Sequence, residues 1–306
     1  MKILVATDKP FAQAATAAIE EVVTTSGCEL QLLEKYATKD KLIQAVGNAD
    51  ALIVRSDRID AEVMDAAPRL KVIARAGAGY DNIDLEAATS HGICVMNTPG
   101  QNANAVAELA LGLMVMAVRN MYNGTSGTEL KGKRLGIHAY GNVGRNVARI
   151  AQGFGMETYA YDAYCPKDII EKDGTKALDS VEELYRTCHV VSLHIPLTPE
   201  TRQSIGRNLV GLMPQGALLV NTARKEVIDE EALISLMEER KDLKHVTDIA
   251  PDANNDFVQM FAGRYFATPK KMGAQTAEAN TNAGIAAARQ VVDYLLHGID
   301  KYRVNR

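Results

Sequence analysis

The sequence has few cysteines and places none of them at the spacing of a metal site. Its four cysteines are scattered, without a CxxC pair or a Cys/His ligand spacing. This distribution predicts buried free thiols, a reduced cytoplasmic protein and no metal centre. The four residues are Cys28, Cys94, Cys165 and Cys188.

Long hydrophobic runs are also missing. The first apolar run, Ile3 to Ala6, is too short for a signal peptide, so we expect a first strand and no export. The most apolar helix candidate, Ala103 to Val118, is interrupted by Asn104 and Glu108 and falls short of the roughly 20 residues of a membrane span. We therefore expect no membrane partner and a helix buried between domains or subunits.

The sequence has no excess of one charge. Lys and Arg total 34 against 38 for Asp and Glu, which gives a formal charge of −4 and does not indicate a nucleic-acid partner. It also has no internal repeat, low-complexity segment or long linker. Its 306 residues are enough for about two domains, each with its own core.

Before residue 98, short apolar runs alternate with helical stretches such as Gln13 to Val23 and Ala61 to Ala66. Alternating strands and helices predict a parallel sheet. We therefore expect a small flavodoxin-like α/β domain that lacks a dinucleotide-binding glycine turn. The apolar runs are Ile3 to Ala6, Glu29 to Leu33, Ala51 to Val54, Val72 to Ala74 and Ile93 to Met96.

Residues 133–162 follow the order of a dinucleotide-binding unit. Leu135 to Ala139 predicts a buried strand, and apolar residues at helical spacing follow the glycine-spaced turn at residues 139–144. The turn therefore lies where a strand passes into a helix, whose free backbone N–H groups can bind a pyrophosphate. We expect Gly141, Asn142, Val143 and Gly144 to contact the cofactor.

Asp162 identifies the expected cofactor as NAD. It follows the predicted strand Glu157 to Tyr161, where a carboxylate can accept hydrogen bonds from the adenosine ribose. This favours NAD over NADP. The first glycine of the pattern is replaced by Ala139, which is tolerable in the turn if its φ is negative.

Further strands predicted at residues 190–193, 217–220, 245–247 and 265–267 extend this unit into a Rossmann-type doubly wound parallel sheet. The last strong helix, Thr276 to Leu296, has no sheet of its own left to join, so we expect it to cross back to the first domain. These patterns predict a discontinuous substrate-binding domain of residues 1–98 and 283–306. The NAD-binding domain is expected to span residues 99–282.

Several phrases occur in an order that resembles the D-2-hydroxyacid dehydrogenase family over nearly the whole chain. The two phrases with Arg55 and Arg75 most resemble the 3-phosphoglycerate dehydrogenase branch, which takes the first step of serine synthesis. The phrases are Val54 to Ser56, Arg75 to Asp84, Asn97 to Gly100, Ala107 to Ala110, His194 to Pro199, Asn221 to Arg224 and Gly273 to Thr276.

The resemblance implies NAD as cofactor and hydride transfer between C2 of a 2-hydroxy acid and the nicotinamide. Arg224 matches the family's catalytic arginine, whose guanidinium can pair the substrate and polarise the C2 oxygen. His194 is expected to be structural. Beyond the glycine turn and Asp162, the positions that match cofactor contacts are Ala78, Pro196, Thr222, Ala223, Asp248, Gly273 and Ala274.

The resemblance also implies a substrate site. Backbone amides around Ala78 and Gly79 are expected to hold the substrate carboxylate, because a glycine-rich turn lets N–H groups approach an anion. Arg55 and Arg75 are the candidates for a substrate phosphate, and without that role a glyoxylate or hydroxypyruvate reductase becomes the better interpretation. The full set of implied substrate contacts is Arg55, Ser56, Arg75, Ala78, Gly79 and Asn102.

Two catalytic positions depart from the family pattern. Most members have a histidine oriented by a glutamate, whereas this chain has Lys271 and Ala253 at the matching places. An ammonium has no tautomer to fix and an unperturbed pKa of about 10.4, so lysine can donate a proton without a carboxylate partner. We interpret the two changes as a coupled replacement that makes Lys271 the proton carrier, as in some short members of the branch. Lys270 as carrier and Asp252 as a substitute for the glutamate remain open.

The resulting prediction is an NAD-dependent 3-phosphoglycerate dehydrogenase. The alternatives are another D-2-hydroxyacid dehydrogenase, such as a glyoxylate or hydroxypyruvate reductase, and an NAD-sensing binding protein with vestigial catalysis. The helix near residues 102–119 is strongly apolar, and members of the family usually form dimers through the cofactor domain. We therefore expect a homodimer through that domain. The sequence ends soon after the last predicted helix, so we expect no C-terminal regulatory domain and no serine feedback through one.

Overall fold

The computed structural model describes residues 1–305 and separates them into two compact units. Residues 1–102 together with those from 276 onward form the first unit, and residues 103–275 form the second. The division falls after residues 102 and 275 rather than after 98 and 282. The last helix, Ala277–His297, therefore belongs to the first unit over its full length.

A parallel sheet forms the core of the first unit. Its strands are β1 (Lys2–Thr7), β2 (Glu29–Glu34), β3 (Ala51–Val54), β4 (Val72–Arg75) and β5 (Cys94–Asn97). They lie in the order β2-β1-β3-β4-β5, which confirms the flavodoxin-like prediction. The middle strands β1, β3 and β4 are buried almost throughout, which explains why their sequences are continuous apolar runs.

Helices cover the first sheet, and the last helix is the longest of those in this unit. Its N-cap Thr276 accepts a hydrogen bond from the Ala279 amide at 3.1 Å. A Cβ built on Gly284 would lie 2.9 Å from Cδ1 of Ile19, so a glycine allows the last helix to pack closely on the first. The other helices are α1 (Gln13–Thr25), α2 (Lys39–Val46), α3 (Ala61–Asp65) and α4 (Leu85–Ser90).

A larger parallel sheet forms the core of the second unit. Its strands are β6 (Arg134–His138), β7 (Glu157–Tyr161), β8 (Lys176–Ala177), β9 (Val190–Leu193), β10 (Leu218–Asn221), β11 (Lys244–Thr247) and β12 (Tyr265–Ala267). The order β12-β11-β10-β9-β6-β7-β8 is the Rossmann order with one more strand at an edge, as predicted. The direction of the chain across the sheet reverses between β6 and β9. Doubly wound sheets bind ligands at this point, outside the carboxyl ends of the strands.

The helices of the second unit include the apolar segment predicted from the sequence, α5, which packs against α6 over the core. The helices are α5 (Ala103–Val118), α6 (Asn142–Gly153), α7 (Lys167–Lys172), α8 (Val181–Thr187), α9 (Arg207–Val210), α10 (Glu230–Glu239) and α11 (Asn254–Met260). Two single turns of 3₁₀ helix lie at Asn120–Tyr122 and Lys225–Val227. Across residues 1–305, none of the helices is long and apolar enough to cross a membrane.

Candidate active site

The glycine turn connects β6 to α6 and leaves the start of that helix open. Gly141 is the N-cap residue, and no side chain caps the helix. A Cβ built on Gly141 would meet nothing within 4 Å, whereas one on Gly144 would lie 2.4 Å from the carbonyl oxygen of Ala139. Gly144 is therefore required by packing, and Gly141 leaves space beside backbone N–H groups suited to a phosphate. Asn142 is exposed and Val143 is half-buried.

Ala139 does not meet the condition of a negative φ under which an alanine is tolerable in this turn. Its φ is +79°, in the left-handed region that favours glycine. The turn therefore places an alanine in a backbone conformation that suits the first glycine of the pattern. An alanine in this region costs about 1 to 3 kcal/mol.

Asp162 holds the glycine turn in place. Its Oδ2 accepts from the Tyr140 amide at 2.6 Å, and Oδ1 accepts from the amides of Tyr164 and Cys165 at 2.8 Å each. Burial alone would raise the pKa of Asp162, but these backbone hydrogen bonds outweigh it and lower the pKa below its usual value. The carboxylate stays ionised and keeps lone pairs for a ribose hydroxyl.

Lys271 and Arg224 meet at one carbonyl oxygen. The Lys271 Nζ donates to the Ala223 oxygen at 3.2 Å, and Arg224 Nη1 donates to the same atom at 3.0 Å. Asn221 fixes this loop, because its side chain accepts from the Ala223 amide and donates to the Arg224 carbonyl, both at 2.9 Å. Two cationic side chains from distant parts of the sequence are therefore held close together beyond the end of β10.

Asp248 positions the segment that contains Lys271. Its buried carboxylate accepts from the Met272 amide at 2.7 Å and from the Gly273 amide at 2.8 Å, and Thr268 adds a hydroxyl donor at 3.1 Å. A Cβ on Gly273 would lie 2.9 Å from the same carboxylate, which explains the glycine there. Ala274 follows, half-buried, and Lys270 is exposed. The expected contact of Asp248 with nicotinamide stays a prediction.

The residues near the missing glutamate have other partners. Asp252 pairs with Lys225 through its carboxylate and is mostly exposed. The amides of Asp252 and Ala253 donate to the carboxylate of Glu230 at 3.1 and 2.8 Å. The structure therefore gives Asp252 an ion pair with Lys225 and shows Ala253 as part of a loop connection.

Three polar groups near the carboxyl ends of β9 and β10 are buried without a hydrogen-bond partner among the described residues, namely Ser192 Oγ, His194 Nε2 and Thr222 Oγ1. Burial, with a smaller effect of His138, lowers the pKa of His194 to about 3, so this ring is neutral. Pro196 follows and is exposed. An unpaired hydroxyl at Thr222 is suited to a bound polar group, since buried polar atoms are normally hydrogen-bonded.

In the first unit, a glycine loop follows β4. The Asn97 side chain donates to the Ala78 carbonyl at 2.6 Å, and the Thr98 amide donates to the Gly77 carbonyl at 3.0 Å. Within residues 1–305, the amides of Ala78 and Gly79 donate to no backbone or side-chain acceptor. The loop is thus fixed by its carbonyl groups and leaves amide donors available to an anion.

Arg75 folds back over this glycine loop. Its Nε donates to the Arg55 carbonyl at 2.8 Å. A Cβ on Gly77, whose φ is +154°, would lie 1.4 Å from Arg75 Nη1, so only glycine leaves room for the guanidinium. Of the two arginines proposed for a phosphate, Arg75 is the one next to the loop amides.

Arg55 uses three of its hydrogen-bond donors within the protein, which the sequence did not indicate. Its Nη1 donates to the carbonyls of Lys9 and Pro10, both at 3.1 Å, and its Nη2 donates to Oδ1 of Asn280 at 2.6 Å. A guanidinium has five N–H donors, so two remain for a ligand. Asn280 was not predicted, because an asparagine one turn into a long helix has no sequence signal for this contact. Ser56 is exposed and Asn102 is half-buried, immediately before α5.

Comparison with known proteins places these observations in a family. The model of the D-isomer specific 2-hydroxyacid dehydrogenase NAD-binding domain matches residues 106–260. D-3-phosphoglycerate dehydrogenase of Methanocaldococcus jannaschii is 39% identical over 271 residues, which are 83% of this chain and 51% of that protein. Hydroxypyruvate reductase of Thermotoga maritima is 37% identical over 281 residues, 86% of this chain and 90% of that protein.

A solved structure extends the likeness to the fold. NAD⁺-bound 3-phosphoglycerate dehydrogenase of Entamoeba histolytica is 47% identical, with a TM-score of 0.89 over 100% of this chain and 99% of that one. The chain spans about half the length of the first curated relative.

The Rossmann sheet, its glycine turn and the carboxylate after β7 define a dinucleotide-binding protein. The chain belongs to the D-isomer-specific 2-hydroxyacid dehydrogenases, and the second unit contains the family's NAD-binding domain. The residues present fit NAD at two separate points. The uncapped start of α6 beside Gly141 is suited to the pyrophosphate, and the unpaired hydroxyl of Thr222 offers a hydrogen bond near the end of β10.

We expect Ala139→Gly to raise the free energy of unfolding by about 1 kcal/mol, because glycine relieves the positive φ at this position. Urea denaturation without NAD measures the change. Gly141→Ala is the matched control, since its φ of −79° and the open space beside it accept a methyl group with little effect on stability. An Ala139→Gly protein no more stable than the parent would contradict the assignment of strain.

Proposed function

We propose that this protein catalyses the NAD-dependent oxidation of 3-phospho-D-glycerate to 3-phosphohydroxypyruvate, the first step of serine biosynthesis, in the cytoplasm. The observation that carries the proposal is the convergence of Lys271 and Arg224 on the Ala223 carbonyl. The likeness to the Entamoeba 3-phosphoglycerate dehydrogenase supports the choice of substrate. Four free cysteines support a reducing compartment.

NAD, when bound, supplies the acceptor for the hydride that leaves C2. Arg224 pairs with the substrate carboxylate or the C2 oxygen and stabilises the negative charge that develops there. Lys271 takes the hydroxyl proton on a neutral Nζ during oxidation and returns it during reduction. The Ala223 carbonyl keeps both side chains near one substrate carbon, and Asp248 fixes the segment from which Lys271 extends.

The first unit supplies the groups that recognise the acid. The amides of Ala78 and Gly79 bind the carboxylate, and Arg75 binds the phosphate beside them. Arg55 contributes its two remaining N–H donors to the same phosphate. Asn280 positions Arg55 through the 2.6 Å hydrogen bond to its Nη2.

A second candidate is reduction of hydroxypyruvate or glyoxylate. It is favoured by the similarity to the Thermotoga hydroxypyruvate reductase, of which this chain covers 90%. It is also favoured by the three internal hydrogen bonds of Arg55, which leave fewer donors for a phosphate. The two candidates use the same proton and hydride chemistry and differ in whether a phosphate is recognised.

Substrate panels distinguish these candidates. We expect NADH formation from 3-phosphoglycerate to exceed that from D-glycerate and D-lactate in kcat/KM, with NADP giving little turnover because of Asp162. Arg75→Ala should lower kcat/KM for 3-phosphoglycerate roughly tenfold or more, since a charged hydrogen bond contributes about 1.5 to 3 kcal/mol. The same variant should leave the kinetics with D-glycerate nearly unchanged.

Two further variants sharpen that assay. Asn280→Ala should raise KM for 3-phosphoglycerate with a smaller effect on kcat, because it frees Arg55 without removing it. Arg58→Ala is the control, since this arginine is 86% exposed and its nearest acid is Asp60 at 3.9 Å. Equal losses with phosphorylated and unphosphorylated substrates in Arg75→Ala would favour the reductase instead.

Lys271→Ala tests the proton carrier. We expect turnover to fall by about 10² to 10⁴, the usual contribution of a positioned acid or base, while NADH affinity measured by fluorescence stays the same. Oxidation by the parent protein should slow as pH falls, because a protonated Nζ cannot accept the hydroxyl proton.

Lys270→Ala is the neighbouring control and should keep its turnover, because the lysine that bonds to the Ala223 carbonyl is the next residue, Lys271. Full activity in Lys271→Ala with loss in Lys270→Ala would reassign the proton carrier. NADH binding without turnover in the parent protein would support an NAD-sensing protein.

We also propose that the protein forms a homodimer through α5. The outward side of this helix presents apolar residues that are partly exposed, and a Cβ on Gly112 would meet nothing within 4 Å. Such a stripe is typical of a helix that packs against a second copy. The residues are Leu109, Gly112, Val115 and Met116.

Light scattering should give the mass of a dimer for the parent protein and of a monomer for Met116→Glu, because a buried unpaired carboxylate disfavours the contact. Val258→Glu is the control, an exposed apolar residue on α11 that is 56% accessible. A monomeric parent protein would overturn the proposal.

A further inference from the structure

The second unit has a cavity at the amino-terminal ends of its strands, the opposite end of the sheet from the glycine turn. The cavity measures about 200 Å³ and is lined by residues at or just before the starts of β6, β9, β10 and β11. The glycine turn follows the other end of β6, about 16 Å away for five residues at about 3.3 Å each. The cavity is thus separate from the NAD site and from every residue placed in catalysis above. Its polar side chains are Thr128, Lys133, His189, Gln215 and Lys244.

Lys244 brings a half-buried positive charge to this cavity. Its Nζ donates to the Ala117 carbonyl at 2.8 Å and to Oδ1 of Asn120 at 2.7 Å, and both acceptors are neutral. No carboxylate pairs with Lys244 or with Lys133 anywhere in residues 1–305. Burial lowers the pKa of Lys244, as expected for an ammonium without a counterion.

His189 presents a hydrogen-bond donor beside these lysines. Its Nδ1 accepts the Arg134 amide at 3.2 Å, which leaves the proton of the neutral ring on Nε2. Burial and the nearby charges of Arg134 and Lys133 lower the pKa of His189, so a donor is present at neutral pH without protonation of the ring.

Two acids near the cavity, Asp242 and Glu157, already have cationic partners. Asp242 accepts from the Gly216 amide at 2.7 Å and forms an ion pair with Arg240 at 2.6 Å. Glu157 forms an ion pair with Lys176 at 3.4 Å. The cavity therefore keeps the positive charge of its two lysines, together with donors from His189, Gln215 and Thr128.

We propose that this cavity binds a small phosphate-bearing anion. Its volume is below the roughly 300 to 1,000 Å³ of pockets for drug-sized ligands, which limits the ligand to inorganic phosphate or a short phosphate ester. Lysine ammonium groups bind phosphate as point charges, and a doubly charged anion would neutralise the pair formed by Lys133 and Lys244.

Inorganic phosphate is the probe, used at low ionic strength with the 306-residue protein saturated with NADH so that the glycine turn is filled. Calorimetry should detect a set of phosphate sites that disappears in Lys133→Ala or binds at least tenfold more weakly. That set should persist in Lys176→Ala, the control lysine paired with Glu157. Lys133 is the chosen variant because Lys244 also bonds to the end of α5, so that its loss can affect folding.

Acetylation of lysines followed by peptide mass spectrometry locates the bound phosphate. Phosphate should slow the modification of Lys133 at the concentration found by calorimetry and leave Lys176 and Lys270 unaffected. Identical calorimetric titrations for the parent and Lys133→Ala would overturn the proposal. Protection of all these lysines to the same extent would also overturn it, since that is screening by salt.

Discussion

The arrangement of the candidate active site depends on one buried carboxylate, that of Asp248. It accepts two consecutive backbone amides, those of Met272 and Gly273, and so fixes the direction of the segment that contains Lys271. A side chain with four rotatable bonds would otherwise sample many positions. Because both amides belong to residues immediately after Lys271, the backbone from which its Nζ extends has little freedom.

Asp162 has the same physical role at the glycine turn. It lies beyond β7, as Asp248 lies beyond β11, and it joins the Tyr140 amide of the glycine turn to the amides of Tyr164 and Cys165 after β7. The two carboxylates stabilise loops that cannot use the hydrogen bonds of the sheet. The hydrogen bond from the Tyr140 amide to Asp162 helps to explain how the turn accommodates Ala139 at a positive φ, because it fixes the residue that immediately follows Ala139.

Most of the fold could be predicted from the sequence, since strands buried on both faces read as short apolar runs. The short elements were missed: β8 has two residues and α9 has four, too few for a periodic pattern. The positive φ of Ala139 could not be predicted, because the intrinsic preference of alanine is for a negative φ and the hydrogen bonds around the turn have no signal in the sequence.

The same limits apply to the site. Residue types and their order indicated Arg224 and Lys271, but their common acceptor is a main-chain carbonyl, which no sequence pattern encodes. The link between Arg55 and Asn280 joins residues 225 positions apart. Such contacts depend on how the last helix packs. The sequence predicted that this helix crosses back to the first domain, but not which side chains it contacts there.

That packing has a consequence for synthesis of the chain. The apolar face of α1, formed by Ala15, Ile19 and Val23, is covered in part by the last helix, whose Gly284 lies against Ile19. A ribosome completes the whole second unit before it makes this helix. The Rossmann sheet can therefore fold while the first unit still exposes an apolar surface, and a chaperone is most needed during that interval.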